Sequence, residues 1–263
     1  MLRVMTFNIR CDSGTTHEQR WDVRGQFIAD VVRAAMPDLI GTQEVLPHQW
    51  DTLKAALPEY DVAGVGREDG QRNGEASAIY FRRDRFQKID GGDFWLSETP
   101  EVIGSKGWDA DYWMRICTWA RLRDLSEERA ILWFNTHFDH SGPIARLESA
   151  KLVRRRLGEY ATPDDDILVT GDFNCGQASP PYKALVGDES PRLIDAYRAV
   201  HPADVDGPDD GTFHGFKGNH DGARIDWVLT SPRWTTTSAR IDRTRREGRF
   251  PSDHFPVVVD LER

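Results

Sequence analysis

Residues 167–174 read ILVTGDFN, a short apolar run that ends in a glycine and is followed by two polar side chains. Aliphatic and β-branched residues that stop at a glycine predict a buried strand. Asp172 and Asn174 then follow directly on this strand, where side chains project from the edge of a sheet. The same arrangement, an apolar strand with polar side chains at its end, occurs at other places in the chain.

The ends of five further predicted strands also carry polar side chains. These are Asn8, Glu44, His137 with Asp139, Asp226, and Asp253 with His254. Any one of them alone more often caps a turn than binds a ligand. Six such strand ends together indicate one cleft, because the strand ends of packed sheets converge on a common rim.

The residue types in this set favour one kind of chemistry. Carboxylate and amide oxygens are the hard ligands that Mg²⁺ prefers, usually together with water and a substrate phosphate. The chain has no cysteine or histidine spacing typical of structural zinc, no G-x-S-x-G and no H-E-x-x-H. A histidine beside a carboxylate is a suitable base near neutral pH. The set therefore predicts metal-assisted hydrolysis of a phosphoester.

The length, composition and net charge of the chain limit the class of protein and the partners that it could have. Its 263 residues are 39% hydrophobic, which fits one α/β domain over residues 1–263. Three scattered cysteines, no apolar run of membrane length and no leader pattern favour a cytoplasmic location without a membrane partner. The net charge of −9 favours a phosphorylated small molecule over nucleic acid, although residues 240–249 contain five arginines. The oligomeric state stays open.

Strand-like and helix-like segments alternate along the whole chain. Strands are predicted at residues 2–10, 39–44, 60–64, 76–81, 115–123, 130–136, 167–170, 225–230, 235–241 and 256–261, and helices at 23–35, 47–57 and 143–160. Many strands and few helices favour two packed sheets with helices outside. The longest loops are residues 64–75, 98–113 and 202–211. We expect the first to be mobile, because its glycines do not fit a dinucleotide motif, and the last to be a solvated acidic loop.

In motif content and order, the chain resembles the endonuclease/exonuclease/phosphatase family. GDFN at residues 171–174 followed by SDH at 252–254 is specific for this family, and the likeness runs from residue 7 to residue 256. The family includes pancreatic-type deoxyribonuclease, bacterial sphingomyelinases, inositol-polyphosphate phosphatases and nocturnin-like deadenylases. The bacterial branch looks most similar, through WDVR at 21–24, FWLSETP at 94–100 and RICTWA at 115–120. The resemblance implies a DNase-I-like, four-layered α/β sandwich with two central, mostly antiparallel sheets flanked by helices.

The resemblance also implies roles for individual residues. Glu44 would be the principal ligand of Mg²⁺ (or Mn²⁺), with Asn8 and Asp253 beside it. The implied catalytic groups are Asp172 for the attacking water, Asn174 for a phosphoryl oxygen, His254 paired with Asp226, and His137 for the phosphate or the leaving group. Which of these accepts the proton stays open.

Four further residues are candidates on the substrate side. Glu75 matches a variable acidic position that supports His137, and Asp139 fits the bacterial branch. Arg115 and Arg146 would line the cleft, since guanidinium groups suit phosphate; surface salt bridges are the alternative.

Three functions are compatible with these residues. The first is hydrolysis of a small phosphodiester or phosphomonoester, the second is a nuclease or deadenylase, and the third is a non-catalytic binding protein on the same fold. Because every position that the chemistry needs holds a competent residue, the third is disfavoured. The sequence does not choose the ester, nor the number of metal ions used in turnover.

Overall fold

A computed structural model describes residues 1–13, 16–203 and 206–263. Its strands are β1 (Leu2–Asn8), β2 (Leu39–Gln43), β3 (Tyr60–Ala63), β4 (Ile79–Arg82), β5 (Phe86–Trp95), β6 (Ile116–Asp124), β7 (Arg129–His137), β8 (Asp165–Asp172), β9 (Ile194–Asp195), β10 (Asp226–Thr230), β11 (Thr235–Ile241) and β12 (Val257–Glu262). The helices are α1 (Trp21–Ala35), α2 (Pro47–Ala56), α3 (Pro143–Tyr160), α4 (Pro180–Leu185) and α5 (Ala196–Val200), with a 3-10 turn at His17–Gln19. The predicted acidic loop at 202–211 includes Asp204 and Val205, which lie outside the described residues.

The strands form two six-stranded sheets. Sheet 1 has the order β11-β12-β1-β2-β4-β3, and sheet 2 has the order β5-β6-β7-β8-β10-β9. Each sheet contains one parallel pair, β1 with β2 and β7 with β8, and its other pairs are antiparallel. The predicted DNase-I-like arrangement of two mostly antiparallel sheets is confirmed.

The two parallel pairs determine where the functional side chains lie. In each sheet a long helix joins the parallel strands, α1 between β1 and β2 and α3 between β7 and β8. Parallel strands end at the same edge of a sheet. Asn8 and Glu44 therefore lie at one edge of sheet 1, and His137 and Asp172, which are register partners, lie at one edge of sheet 2.

The protein has four layers, two sheets with helices outside each, and three clusters of buried apolar side chains hold these layers together. Between the sheets, residues such as Val4 and Leu39 pack against Trp133 and Leu168. Helices α1 and α2 cover the outer face of sheet 1, and α3 and α4 cover the outer face of sheet 2. Burial of these faces is the main stabilising contribution.

A buried polar layer lies between the sheets, one step behind the strand ends. Asn135 accepts hydrogen bonds from Gln43 Nε2 and Thr170 Oγ1, each over 2.9 Å, and donates to the Thr42 carbonyl over 2.8 Å. A Cβ at Gly41 would lie 2.3 Å from Thr170 Oγ1 and 2.5 Å from Asn135 Oδ1. Only glycine lets the sheets approach closely enough for this layer to form.

The sequence missed several elements for identifiable reasons. Strand β5 reads FQKIDGGDFW, and most of its side chains are exposed or half-buried, so it lacks an apolar period. Strand β9 and helices α4 and α5 are six residues or shorter and give little periodic signal. The three predicted long helices are present, and α3 has the predicted bounds. In the described part of the chain, no helix is long and apolar enough to cross a membrane.

Candidate active site

Asn8 joins the two sheets at the bottom of a cleft. Its Nδ2 donates to Glu44 Oε1 and to Asp172 Oδ2, each over 2.9 Å. Its Oδ1 accepts from the Arg10 amide over 3.0 Å. Asn8 is completely buried, so its single amide group orients two carboxylates from different sheets.

Glu44 is held as a carboxylate by the groups around it. It follows β2 in the left-handed region, at φ +64°, which turns its side chain back toward the end of β1. Its Oε2 accepts from the Cys11 amide over 2.9 Å and lies 3.5 Å from Arg10 Nη1. Burial alone would raise the pKa of Glu44, but Arg10, the Cys11 amide and Asn8 outweigh it and lower the pKa to about 2.

His254 lies between two buried aspartates. Its Nδ1 is 2.9 Å from Asp226 Oδ2, and its Nε2 is 3.6 Å from Asp172 Oδ2. Burial opposes the charge on this ring, but Asp226 and Asp172 prevail and raise the pKa of His254 above its usual range. Burial and the charge of Asp226 raise the pKa of Asp172, against the pull of His254. His254 thus joins the two aspartates.

His137 is surrounded by cationic and amide groups. Its Nδ1 lies 3.1 Å from Arg115 Nη1, and its Nε2 lies 3.0 Å from Asn174 Nδ2 and 3.4 Å from Asp172 Oδ2. Burial, followed by the charges of Arg115 and Arg67, lowers the pKa of His137 well below its usual value. This ring is therefore neutral at pH 7, unlike that of His254.

Glu75 forms no hydrogen bond or ion pair with His137, the residue that the resemblance implied it would support. Its carboxylate is held by Arg67, with Arg67 Nη1 2.7 Å from Oε2 and Nη2 donating to Oε1 over 3.0 Å. Arg115 takes the place beside His137 instead. An arginine that replaces an acidic partner lowers the imidazole pKa where a carboxylate would raise it.

The loop that carries Arg67 and Glu75 was expected to be mobile. In the structure it is hydrogen-bonded within itself. Arg67 and Glu68 donate from their amides to the carbonyls of Glu75 and Asn73, each over 3.1 Å. A Cβ at Gly66 would lie 2.2 Å from the Asn73 carbonyl oxygen. The glycine therefore permits a tight turn that buries the Arg67 side chain beneath the cleft.

Two of the substrate-side candidates lie behind the cleft and not on its surface. Asp139 is buried, its Oδ1 accepts from the amides of Ser141 and Gly142, and its Oδ2 lies 3.6 Å from Arg115 Nε. Arg146 donates to the Asp139 carbonyl over 3.0 Å and lines a separate, mostly apolar hollow. Asp139 thus positions Arg115, and of the two predicted arginines Arg115 is the one that lines the cleft.

The cleft has a volume of about 440 Å³. It is lined by Arg10, Cys11, Ser13, Glu44, Arg67, Glu75, Trp113, Arg115, His137, His140, Asp172, Asn174, Phe213, Ile225, Asp253 and His254. Sequence reasoning missed the contribution of Arg10, Arg67, Trp113 and Phe213. Only Arg10 had a usable signal, since it lies two residues after Asn8 in the first motif.

The residues at one side of the cleft fit a hard divalent cation. Arg10 places Nη1 3.5 Å from Glu44 Oε2 and Nε 3.6 Å from Asp253 Oδ2, so the two carboxylates converge on a single positive group. Oxygen donors of this kind suit Mg²⁺ or Mn²⁺. Ligand atoms of Asp172, Asp226 and His254 also lie within 4.8 Å of one another. Within this second set of residues, however, His254 and Asp226 are already hydrogen-bonded to each other.

This combination of fold and site defines a class of hydrolase: a DNase-I-like α/β sandwich whose strand ends bring carboxylates, amides and two histidines into one cleft. A sequence model of the endonuclease/exonuclease/phosphatase family matches residues 5–254. The chain therefore belongs to this family, whose members are hydrolases acting on phosphoesters.

Individual relatives agree with this assignment. A mannosyl-6-phosphatase of Bacteroides thetaiotaomicron is 39% identical, with a TM-score of 0.89 and 100% of both chains covered. Nocturnin of Drosophila melanogaster is 27% identical over 92% of this chain. The human Nocturnin catalytic domain, at 20% identity and a TM-score of 0.78 over 99% of this chain and 93% of that one, shows the fold alone. The chain spans less than half of the length of the curated relatives that it matches, 42% and 30%.

Proposed function

We propose that this protein is a divalent-metal-dependent phosphatase that hydrolyses a small phosphorylated molecule, and that phosphorylated sugars are its first candidate substrates. The hydrogen bonds from Asn8 to Glu44 and Asp172 carry the proposal, because they bring a carboxylate for a cation and a carboxylate for a water into one cleft. The similarity to a mannosyl-6-phosphatase over the full length of both chains supports the substrate class.

Glu44 and Asp253 would hold the cation with Asn8 beside them, and the Asn8 amide would also orient Glu44. When bound, the metal would supply Lewis acidity and neutralise charge on the phosphoryl oxygens. Asp172, whose pKa is raised by burial and by Asp226, would orient the attacking water and accept its proton. His254, held in its charged form by Asp226, would stabilise the negative charge that develops on the phosphoryl group.

On the other side of the phosphoryl group, His137 and Asn174 would donate hydrogen bonds to its oxygens. Because Arg115 can only donate to Nδ1, a neutral His137 carries its proton on Nε2 and can donate it to a phosphoryl oxygen. Arg115 would fix the His137 ring and add to the positive charge of the cleft.

A panel of phosphate esters tests the proposal. Phosphate release is measured for hexose 6-phosphates, inositol phosphates, phospholipid headgroup esters, mononucleotides and short RNA at a fixed Mg²⁺ concentration. We expect turnover of small monoesters with Mg²⁺ or Mn²⁺ and its complete loss with a chelator. Activity with zinc only would refute the assignment of the metal site. Glu44→Gln should raise the Mg²⁺ concentration needed for half-maximal rate, whereas Glu159→Gln on the exposed face of α3 should not.

A nuclease of the deadenylase type is the second candidate, since Drosophila Nocturnin matches most of this chain. Three of the five arginines at 240–249 are already engaged within the protein, since Arg246 pairs with Asp30, Arg249 pairs with Glu247, and Arg243 donates to the Asp209 carbonyl. Phosphate neutralisation makes nucleic-acid binding steeply salt-dependent. Short-RNA hydrolysis that exceeds monoester hydrolysis, and that falls about tenfold or more between 50 and 200 mM salt, would favour the nuclease.

A further inference from the structure

Two large aromatic side chains are exposed at the cleft. Tyr112 is 71% exposed and Trp113 is 40% exposed, and their rings meet edge to face with centroids 4.5 Å apart. Trp113 lines the cleft together with the catalytic groups. Exposed aromatic surface beside a charged cleft is typical of ligand sites, where ring faces and a few polar groups act together.

The segment that carries these rings is anchored to the body of the protein. Asp109 accepts hydrogen bonds from the amides of Ile144 and Ala145, over 3.1 and 2.6 Å, at the start of α3. Glu98 accepts from the Trp108 amide over 3.1 Å. The aromatic pair is therefore presented on a fixed support, which reduces the entropy that binding would cost.

The indole of Trp113 is itself held in place by a buried cation. The Arg67 guanidinium lies 5.0 Å from the ring centroid, and Glu75 holds that guanidinium through both of its oxygens. Arg67 is only 4% exposed, so the ring rests on a group that does not move freely. A cation against an indole in such a place is favourable, and it fixes the orientation of the ring.

The charges around Trp113 indicate which part of an ester would lie there. The Glu75 carboxylate lines the same cleft as this ring; Arg67 neutralises its charge, and its remaining lone pairs can accept hydrogen bonds from hydroxyl groups. The groups proposed to act on the water and the phosphoryl group, Asp172, Asn174 and His254, line the same cleft. The neighbourhood of Trp113 thus suits a neutral leaving group that carries hydroxyls and one apolar face.

We propose that Trp113, fixed by Arg67 and Tyr112, forms with Glu75 a subsite for the hexose ring of a phosphorylated sugar. The C–H groups on one face of the pyranose would pack on the indole, and ring hydroxyls would donate to Glu75. This inference rests on the proposed phosphatase function and specifies its leaving group. Trp113 is a specificity-determining residue here, since it touches the alcohol part of the ester and not the reacting phosphorus.

The test compares a ring substrate with a ring-free one. Steady-state kcat and KM are measured with Mg²⁺ for a hexose 6-phosphate and for glycerol 3-phosphate, using wild type, Trp113→Ala and Trp113→Phe. For Trp113→Ala we expect the ratio of kcat/KM for the hexose ester to that for the glycerol ester to fall about tenfold or more, mainly through KM of the hexose ester. Trp113→Phe, which keeps a ring face, should restore most of that ratio. Circular dichroism checks that both variants are folded.

The possible outcomes distinguish the subsite from the proposed phosphatase function. An unchanged ratio in Trp113→Ala, with wild type active on both esters, refutes the subsite and leaves the phosphatase standing. Wild type that releases phosphate from neither ester refutes the proposed function, and the subsite with it. Adenosine 5′-monophosphate serves as a third substrate: a larger wild-type kcat/KM and a larger loss in Trp113→Ala for this ester would assign the ring to a nucleobase and overturn the hexose subsite.

Discussion

Asn8 and Asp172 lie in different sheets, and the Asn8 amide donates to the Asp172 carboxylate over 2.9 Å. Because the same Nδ2 also donates to Glu44, this one side chain sets the separation between the proposed water-activating carboxylate and the proposed metal carboxylate. The relationship ties the catalytic geometry to the way in which the two sheets pack.

Replacing that donor with an acceptor should disable the site. Asn8→Asp places a third carboxylate against Glu44 and Asp172 and removes both hydrogen bonds. We expect kcat/KM to fall roughly 10²–10³-fold, the range for loss of one well-placed donor, as measured by phosphate release at saturating Mg²⁺. Asn219→Asp, in an exposed loop, is the control for added charge. A loss of less than about threefold in Asn8→Asp would show that the bond does not organise catalysis.

The proposed roles of Asp172 and His254 can be tested by substitution. Asp172→Asn keeps the size of the side chain but removes the base, and His254→Ala removes the charged ring held by Asp226. Asp172→Asn should lower kcat by roughly 10²–10⁴-fold, the contribution of a positioned base, and His254→Ala by roughly 10²–10³-fold, the contribution of one well-placed charge-stabilising group. His220→Ala, a histidine outside the cleft lining, should be near wild type. An effect below about tenfold in either site variant contradicts the assigned role.

Arg24 should matter for both stability and metal binding. This buried guanidinium donates to the carbonyls of Gln19 over 2.8 Å, Cys11 over 3.2 Å and Pro251 over 3.3 Å, and also to those of Ile9 and Arg10. It thereby joins the segment after Asn8 to the segment before Asp253.

Arg24→Met would leave several buried carbonyls without a donor. We expect the free energy of unfolding in urea to fall by about 3 kcal/mol or more, since each unsatisfied buried group costs about 1–3 kcal/mol. The Mg²⁺ concentration for half-maximal rate should rise as well. Arg20→Met, on the exposed side of the same segment, should change the stability by less than about 0.5 kcal/mol. Equal stability of the two variants would show that the carbonyl contacts contribute nothing.

The pH dependence of stability should report on the pair of Arg121 and Asp165. Arg121 donates from Nε and Nη2 to the two oxygens of Asp165, each over 3.0 Å, and Thr162 donates its amide to Asp165 over 2.7 Å. Burial opposes ionisation, but these hydrogen bonds prevail and lower the pKa of Asp165.

A carboxyl group whose pKa is lower in the folded state stabilises the protein above its unfolded pKa, about 3.9. That stabilisation is lost as the pH falls through the folded value. Asp165→Asn should therefore be less stable than wild type in urea at pH 7, with a difference that shrinks below about pH 4. Asp164→Asn, its exposed neighbour, is the control. A difference that is the same at pH 7 and pH 3.5 would contradict the ionic origin of the effect.

Most of the fold could be predicted from local sequence, because buried strands and long helices have a regular spacing of apolar residues along the chain. The apolar run before Asp172 predicts β8, and the spacing of apolar residues over 143–160 predicts α3 with the observed bounds. The polar strand β5 left no such period. Its place at the edge of sheet 2 depends on pairing with β6, a contact that is distant in sequence.

For the site, the sequence by itself determined which polar residues stand at strand ends, since a motif records residue types in order along the chain. It supplied Asn8, Glu44, His137, Asp172, Asn174, Asp226, Asp253 and His254, all of which the structure brings to one edge of the packed sheets. It did not determine that Arg115 and not Glu75 is hydrogen-bonded to His137, that Arg24 joins two segments more than two hundred residues apart, or that Trp113 rests on Arg67. Only the tertiary structure decided these contacts. From the sequence alone, an arginine or a tryptophan is expected at the surface. The residues that pack against it and the charges around it come from distant parts of the chain and meet only in the folded protein.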